Sequence, residues 1–282
     1  MGRLRIEVGQ SALAEEHEKL LRALTRGGLG AWVEPAEAPI SGYSEEALEG
    51  ARSLWRRRMV QEHNSSAVWA GVLPQLVEAE VTLDLKTAVL RAGLDELRHA
   101  ALCAQVLRAL GAEPEAEAEL ALTPVARHAN CPALERPLRN LLFVGCLAET
   151  VAVAVTAEER QLARESYIVR VLEVLHADET THGRLGWIVL RDQLPRLDET
   201  GRARLAAYLP VAFAYLERET LAAIPDAPVP PEPLLSELHA LGVSEAAAAR
   251  TLFYQSIEHV IVPELEALGL GAERAWKERL DA

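Results

Sequence analysis

Cysteine, clustered positive charge and long uninterrupted apolar runs are all scarce in this 282-residue chain. The three cysteines, Cys103, Cys131 and Cys146, form neither an even-numbered framework nor a C-x-x-C pair. They read as reduced thiols of a cytoplasmic protein. The one basic run, Arg56-Arg57-Arg58, reads as a solvated helix face, and a net charge of −13 with no other basic stripe argues against a nucleic-acid-binding surface. The most apolar stretch, Leu141 to Ala157, is broken by Glu149, so no uncharged segment reaches membrane length. Met1 to Glu7 lacks the apolar core of a signal peptide. β-branched runs with period two are few as well, which argues against a sheet.

What is present is helix-forming: alanine, leucine, arginine and glutamate dominate, and the chain is half apolar and a quarter charged. The expectation is an all-α protein. Four seams emerge in alternating steps of three and four. The first runs Trp55, Met59, Glu62, Ser66, Trp69, Leu73, Leu76; the second Leu85, Val89, Ala92, Glu96, His99, Cys103, Val106, Leu110, stopped at Gly111. The third passes Leu138, Leu142, Gly145, Glu149, Ala152, and the fourth Ile168, Leu172, Leu175, Glu179, His182, Gly186, Val189, with Ser166 as its N-cap. Glu62 to Glu96 spans 34 residues and Glu149 to Glu179 spans 30, each enough for a helix up and a helix back to the same level. The turn near Glu78–Thr82 carries no Gly or Pro and is placed by symmetry. Residues 111–137, acidic and punctuated by Gly and Pro, form a long crossover between the two hairpins.

The expected organisation is an N-terminal flank (1–44) with an early helix around Ala12–Leu24, a helical bundle (45–193), and a C-terminal extension (194–282) packing on it. In the extension, Asp198–Leu221 reads as a fifth helix and Ile224 to Pro233 as a Pro-rich connector. Ser244–Leu268 reads as a final amphipathic helix capped by Ser244.

Each bundle seam is interrupted mid-way by a carboxylate, and two also by histidine. The motifs Asp95-Glu96-Leu97-Arg98-His99 and Asp178-Glu179-Thr180-Thr181-His182 lie 83 residues apart. A three-residue spacing puts Glu and His on one helical face, so each motif offers one oxygen and one nitrogen ligand to the same point. A lone Glu-x-x-His means little in a glutamate-rich chain, and Glu173/His176 supplies another. The weight lies in the repetition, the preceding Asp and the register across four helices. An ionised Glu in a core seam is costly unless compensated. Glu62, Glu96, Glu149 and Glu179 carry −4, the neutral imidazoles of His99 and His182 add nothing, and two divalent cations carry +4. Oxygen-rich sites with one nitrogen per metal and no thiolate suit iron or manganese, with zinc able to bind adventitiously.

This ligand set resembles that of the ferritin-like di-iron and di-manganese carboxylate proteins, over roughly residues 50–193. The Glu62-His63-x-Ser65, Asp95-Glu96-x-Arg98-His99-Ala100 and Leu147-Ala148-Glu149-Thr150 runs are similar to a poorly characterised bacterial branch. The resemblance implies a ferritin-like four-helix bundle in which Glu96 and Glu179 bridge two metals and Glu62 and Glu149 are terminal ligands. It also implies one His per metal, with Asp95 and Asp178 each fixing the ring of the His on the opposite motif. His176 is an extra-ligand candidate, because some ferritin-like N-oxygenases carry a further His before this Glu, at a spacing of four rather than three. His63 reads as solvated or as a neighbour supporting a ligand rather than as a ligand itself, Glu258-His259 as surface, Trp69 as core packing, and Cys103 and Cys146 as small buried hydrophobes.

The function expected is an O₂-activating di-iron oxidase or oxygenase with two Fe ions, Mn being the alternative metal. Ser65, Ser66, Gly145, Cys146, Ala148, Ala152 and Val153 are the candidates to line a substrate pocket. Val153 stands where bacterial multicomponent monooxygenases carry a threonine. The expected partners are O₂ or peroxide, a small organic molecule, a separate reductase and a second copy in a homodimer, with no nucleic acid or membrane. The alternatives are a ferroxidase or iron store, a manganese catalase, and a metal-free helical interaction module.

Overall fold

The computed structural model describes residues 2–5, 33–122, 124–224 and 226–281. The helix expected around Ala12–Leu24 lies outside the described residues. Eight helices carry the described chain: α1 (Glu45–Glu78), α2 (Leu83–Ala109), α3 (Glu135–Leu162), α4 (Ser166–Gln193), α5 (Glu199–Ala223) and α6 (Leu234–Ala240) come first. Next is α7, which runs through Ala246–Ser256, Ile257–Ile261 and Val262–Ala267, and last α8 (Ala272–Glu278). The first four form the ferritin-like bundle, and the rest are the additional C-terminal helices.

The caps explain the boundaries. Ser44 opens α1 by accepting from the Ala47 N–H at 3.3 Å, and Asp198 opens α5 by accepting from the Gly201 N–H at 2.7 Å. Helix α2 stops at Gly111, whose φ of +74° lets its N–H reach Arg108 while the Ala112 N–H reaches Leu107. The α1–α2 turn has no glycine because Glu80 itself takes the left-handed conformation, at φ +52°. Two expected caps are corrected. Glu165, not Ser166, caps α4 by accepting from the Tyr167 N–H, and Glu245, not Ser244, stands at the start of α7.

Three other features depart from the sequence reading. A short antiparallel pair joins β1 (Gly2–Arg5) to β2 (Glu115–Ala118), inside the crossover. Helix α6 follows the Pro-rich connector, and α8 follows what was expected to be the last helix. Beyond Trp69 the first seam continues through Val72 and Leu76, while Leu73 is only partly buried. The crossover is pinned at the Ala126 carbonyl, which accepts from Gln75 and Asn140, both at 2.9 Å.

The bundle is layered along its axis. One apolar layer holds Trp55, Met59, Leu102, Val106, Ile168 and Leu172; another holds Trp69, Val72, Val89, Ala92, Leu138 and Val189. Each such side chain contributes about 1.5–3 kcal/mol when fully buried, and together these layers support a band of polar residues between them. Helix α3 is long and apolar enough to cross a membrane by composition, but 56% of its most apolar 18-residue segment is buried here. Its Leu142 and Leu147 pack with Leu209 and Phe213 of α5 and Phe253 and Ile257 of α7.

Two local devices set the helix spacing and phase. Gly145 of α3 meets Gly186 of α4 backbone to backbone; a Cβ on Gly186 would lie 2.3 Å from the Gly145 carbonyl carbon. Helix α3 also widens to a π-helix over Leu142–Ala148, ending where the Glu149 N–H bonds the Val144 carbonyl five residues back.

Candidate metal centre

The polar band brings the six expected ligands together. Glu62, Glu96, His99 and Glu179 form one group and Glu96, Glu149, Glu179 and His182 a second, each offering ligand atoms within 4.8 Å of one another. Glu96 and Glu179 belong to both groups. Every member is buried, with His99 fully inaccessible and Glu96 1% exposed.

The two imidazoles are oriented alike. His99 Nδ1 lies 3.3 Å from Glu62 Oε2, 3.4 Å from Glu179 Oε1 and 3.8 Å from Glu96 Oε2. His182 Nδ1 lies 3.2 Å from Glu96 Oε1 and 3.6 Å from Glu179 Oε2. The outward nitrogens face acids on the opposite motif: His99 Nε2 is 3.0 Å from Asp178 Oδ2, and His182 Nε2 is 3.6 Å from Asp95 Oδ2. An acid on the outer nitrogen fixes the ring and leaves Nδ1 to serve as a ligand.

Arginines that carried no role in the sequence reading hold this outer ring. Arg98, fully buried, bonds Asp178 and reaches Asp95 Oδ1 at 3.2 Å, tying the two acids together. Arg91 donates its Nε–H to both Asp95 oxygens at 2.9 Å. Trp69 Nε1 donates to Glu149 Oε1 at 3.3 Å, so its indole orients a carboxylate besides filling the core. Of the expected solvated arginine run, Arg57 is exposed and Arg56 partly so, but Arg58 is not. It is buried, paired with the buried Glu159, and lies 3.9 Å from Glu62 Oε1. The four-residue spacing from Arg58 to Glu62 was a usable signal, because it puts both on one helical face.

The electrostatics are those of acids short of cations. Burial, then the charges of Glu179 and Glu62, push Glu96 up to about 8. Burial and Glu179 push Glu149 well above the carboxylate range. Burial works the same way on Glu179, but the neighbouring Glu149 carboxyl and the two imidazoles facing it outweigh that effect and hold this acid well below its ordinary value. His99 and His182 are depressed by burial yet raised overall, by Asp178 and Asp95 respectively together with the facing glutamates. Both ring nitrogens of His182 and the Glu96 Oε1 atom are buried without a hydrogen-bond partner. Such orphaned donor atoms facing one another fit a cation between them, since burial otherwise costs each of them about 1–3 kcal/mol. The donor set fits two divalent metals.

The remaining candidates separate. His176 Nδ1 lies 3.2 Å from Thr156 Oγ1 and belongs to neither four-residue group. A cavity of about 900 Å³ opens on Glu62, Glu96, Glu149 and Glu179. Ser65, Ala148 and Ala152 line it; Ser66, Gly145, Cys146 and Val153 are not on its wall. Ser66 instead bonds the His63 carbonyl, Gly145 forms the α3–α4 contact, Cys146 is sealed in the core, and Val153 faces Gly183. The opposite wall comes from the C-terminal helices, through Leu216, Thr220, Ile224, Leu235, Leu238 and Val243.

Fold and site together define a ferritin-like helical bundle whose buried carboxylate–histidine cluster fits a di-metal centre. No family model and no curated protein matches the chain. Among solved structures it is similar to protein 19 with aldehyde deformylating oxidase activity from Synechococcus. That likeness has 18% identity and a TM-score of 0.55, covering 85% of this chain and 98% of that one. At such identity the likeness speaks to the fold.

Proposed function

We propose that this protein is a di-iron carboxylate oxidase or oxygenase that uses O₂ or peroxide to oxidise a small organic substrate. The observation that carries the reading is the pair of four-residue groups sharing Glu96 and Glu179 inside a buried layer. Glu62 and His99 would hold one metal, Glu149 and His182 the other, with Glu96 and Glu179 between them. Two bound irons would supply redox chemistry toward oxygen, with the protein setting their electrostatics and access. Asp178 and Asp95 keep the imidazoles aimed inward, and Trp69 steers Glu149. The apolar layers above and below leave the cavity as the route of access to the glutamates.

The cavity favours an organic substrate over iron handling alone, because it reaches the four glutamates and is walled mainly by apolar side chains. The oxidase activity named for the Synechococcus protein agrees with this reading. A separate reductase, a cytoplasmic location in keeping with the free thiols Cys103, Cys131 and Cys146, and a homodimeric state belong to the same proposal.

Anaerobic titration of the metal-free protein with Fe(II) tests it. Two irons per chain are expected, followed on O₂ exposure by the near-ultraviolet absorption of a coupled ferric pair. Binding of fewer than two irons, or no reaction with O₂, would overturn the reading.

A further inference from the structure

The cavity beside the glutamates is not uniformly apolar. Phe143, Val151, Val155, Leu216, Ile224 and Leu238 make its body, but a guanidinium, that of Arg57, stands on its α1 wall. Apart from the four glutamates of the cluster, the other charged groups there are matched: Glu159 by Arg58, Glu219 by Arg218 at 3.1 Å, and Glu245 by His239 at 3.3 Å. Arg57 donates to the Ser53 hydroxyl at 2.9 Å and, among the described residues, has no carboxylate within ion-pair distance. Arg57 itself is exposed, on the solvent side of that wall; partial desolvation and repulsion from Arg58 lower its affinity for its proton, and the Glu159 charge works in the opposite direction. The guanidinium thus stands beside an apolar cavity with no carboxylate in direct contact, open to an anion arriving from solvent.

Arg57 precedes Glu62 by five residues, about 7.5 Å along the helix axis. Beyond it the cavity closes where Leu238 of α6 presses on Gly50 of α1, so tightly that a Cβ on Gly50 would lie 2.6 Å from Leu238 Cδ2. From these placements we infer that the substrate of the proposed centre is an organic carboxylate with an apolar body. Its carboxylate is bound by Arg57, and its hydrocarbon part lies between α3 and the C-terminal helices, reaching toward the glutamates. A carboxylate offers the guanidinium two parallel hydrogen bonds, which a neutral alcohol or aldehyde cannot. This inference rests on the oxidase reading for the word substrate, while the binding it describes needs no metal.

Sodium octanoate and octan-1-ol, matched in chain length, are suitable probes for calorimetric titration of the full chain, metal-free and after anaerobic Fe(II) loading. Octanoate is expected to bind at least tenfold more tightly than octanol in both states. Arg57→Gln should abolish that preference while leaving octanol binding unchanged, and Leu238→Trp should weaken both ligands by filling the cavity. Equal affinity for the two probes, a preference that survives Arg57→Gln, or no binding of either probe would overturn the inference. Iron stoichiometry measured on the same samples separates the two readings: two irons bound with no octanoate preference sinks this one alone, and the reverse sinks the di-iron reading alone.

Discussion

Gly145 and Gly186 touch through their backbones, and that contact fixes how closely α3 can approach α4, the helices bearing Glu149 and Glu179. A methyl group on Gly186 would collide with main-chain atoms of Gly145 rather than with a side chain able to rotate aside. Gly186→Ala is therefore expected to destabilise the protein by about 1–3 kcal/mol, the usual cost of overpacking. Chemical denaturation checks the stability. Iron stoichiometry checks the second expectation, that spreading the helices weakens the site formed by Glu149 and His182.

Removing a shared acid separates function from folding. Glu96→Ala is expected to abolish binding of two metals per chain, as measured by elemental analysis, because both four-residue groups lose a member. The metal-free protein should lose little stability or gain some, since the deleted carboxylate is buried and repelled by Glu179 and Glu62. Unaltered metal stoichiometry would refute the ligand assignment.

The metal-free protein should lose stability as pH rises from about 6 to 8.5. Glu96, pushed up to about 8 from an ordinary 4.5, keeps a proton on folding that the unfolded chain has already released across that window, so folding weakens as pH climbs. His99 and His182, raised above 6.5, stabilise the fold fully below that value and lose their contribution as pH rises through their folded values. Glu179, held low, acts at the other end, its contribution being lost only as the solution becomes strongly acidic. Iron loading should reverse the slope between pH 6 and 8.5, since metal binding displaces those protons. Thermal melts of both forms across pH test this.

Arg98 neutralises Asp95 and Asp178 at once. Arg98→Met leaves two buried acids without their common partner and is expected to cost about 3–5 kcal/mol. Asp178→Ala should lower metal affinity about 10–100-fold by freeing the His99 ring. Competition with a chelator of known affinity measures the second effect.

The Arg58–Glu159 pair invites a double-mutant cycle. Either Arg58→Met or Glu159→Leu alone strands a buried charge, with an expected loss of about 3–5 kcal/mol. The two together should come out near neutral, because an apolar pair of similar volume replaces both charges. Additive losses in denaturation experiments would show that the two residues act separately.

Much of the bundle was legible because its seams are apolar except where Glu62, Glu96, Glu149 and Glu179 interrupt them, and four interruptions in register have few explanations. The Asp95–His182 and Asp178–His99 pairings followed from the resemblance and appear in the geometry. Other features leave no comparable trace. The π-helix at Leu142–Ala148 is a matter of one extra residue per turn, which no residue type marks. Arg58 and Glu159 lie 101 positions apart, so their pairing needs α1 and α3 already in place. Pairing of β1 with β2 is likewise non-local and too short for an alternating pattern to show. Glu80 hid the first turn by taking a backbone conformation usually left to glycine.

The cavity wall has a consequence for how this chain can change. Leu216, Ile224, Leu235, Leu238 and Val243 face the same space as the glutamates, yet none belongs to a helix that supplies a member of the carboxylate–histidine cluster. On the proposed oxidase reading, substitutions there would reshape which molecules are admitted while the four-helix core keeps its cluster intact. Selectivity and reactivity would then be encoded in separate stretches of one polypeptide, free to diverge at different rates.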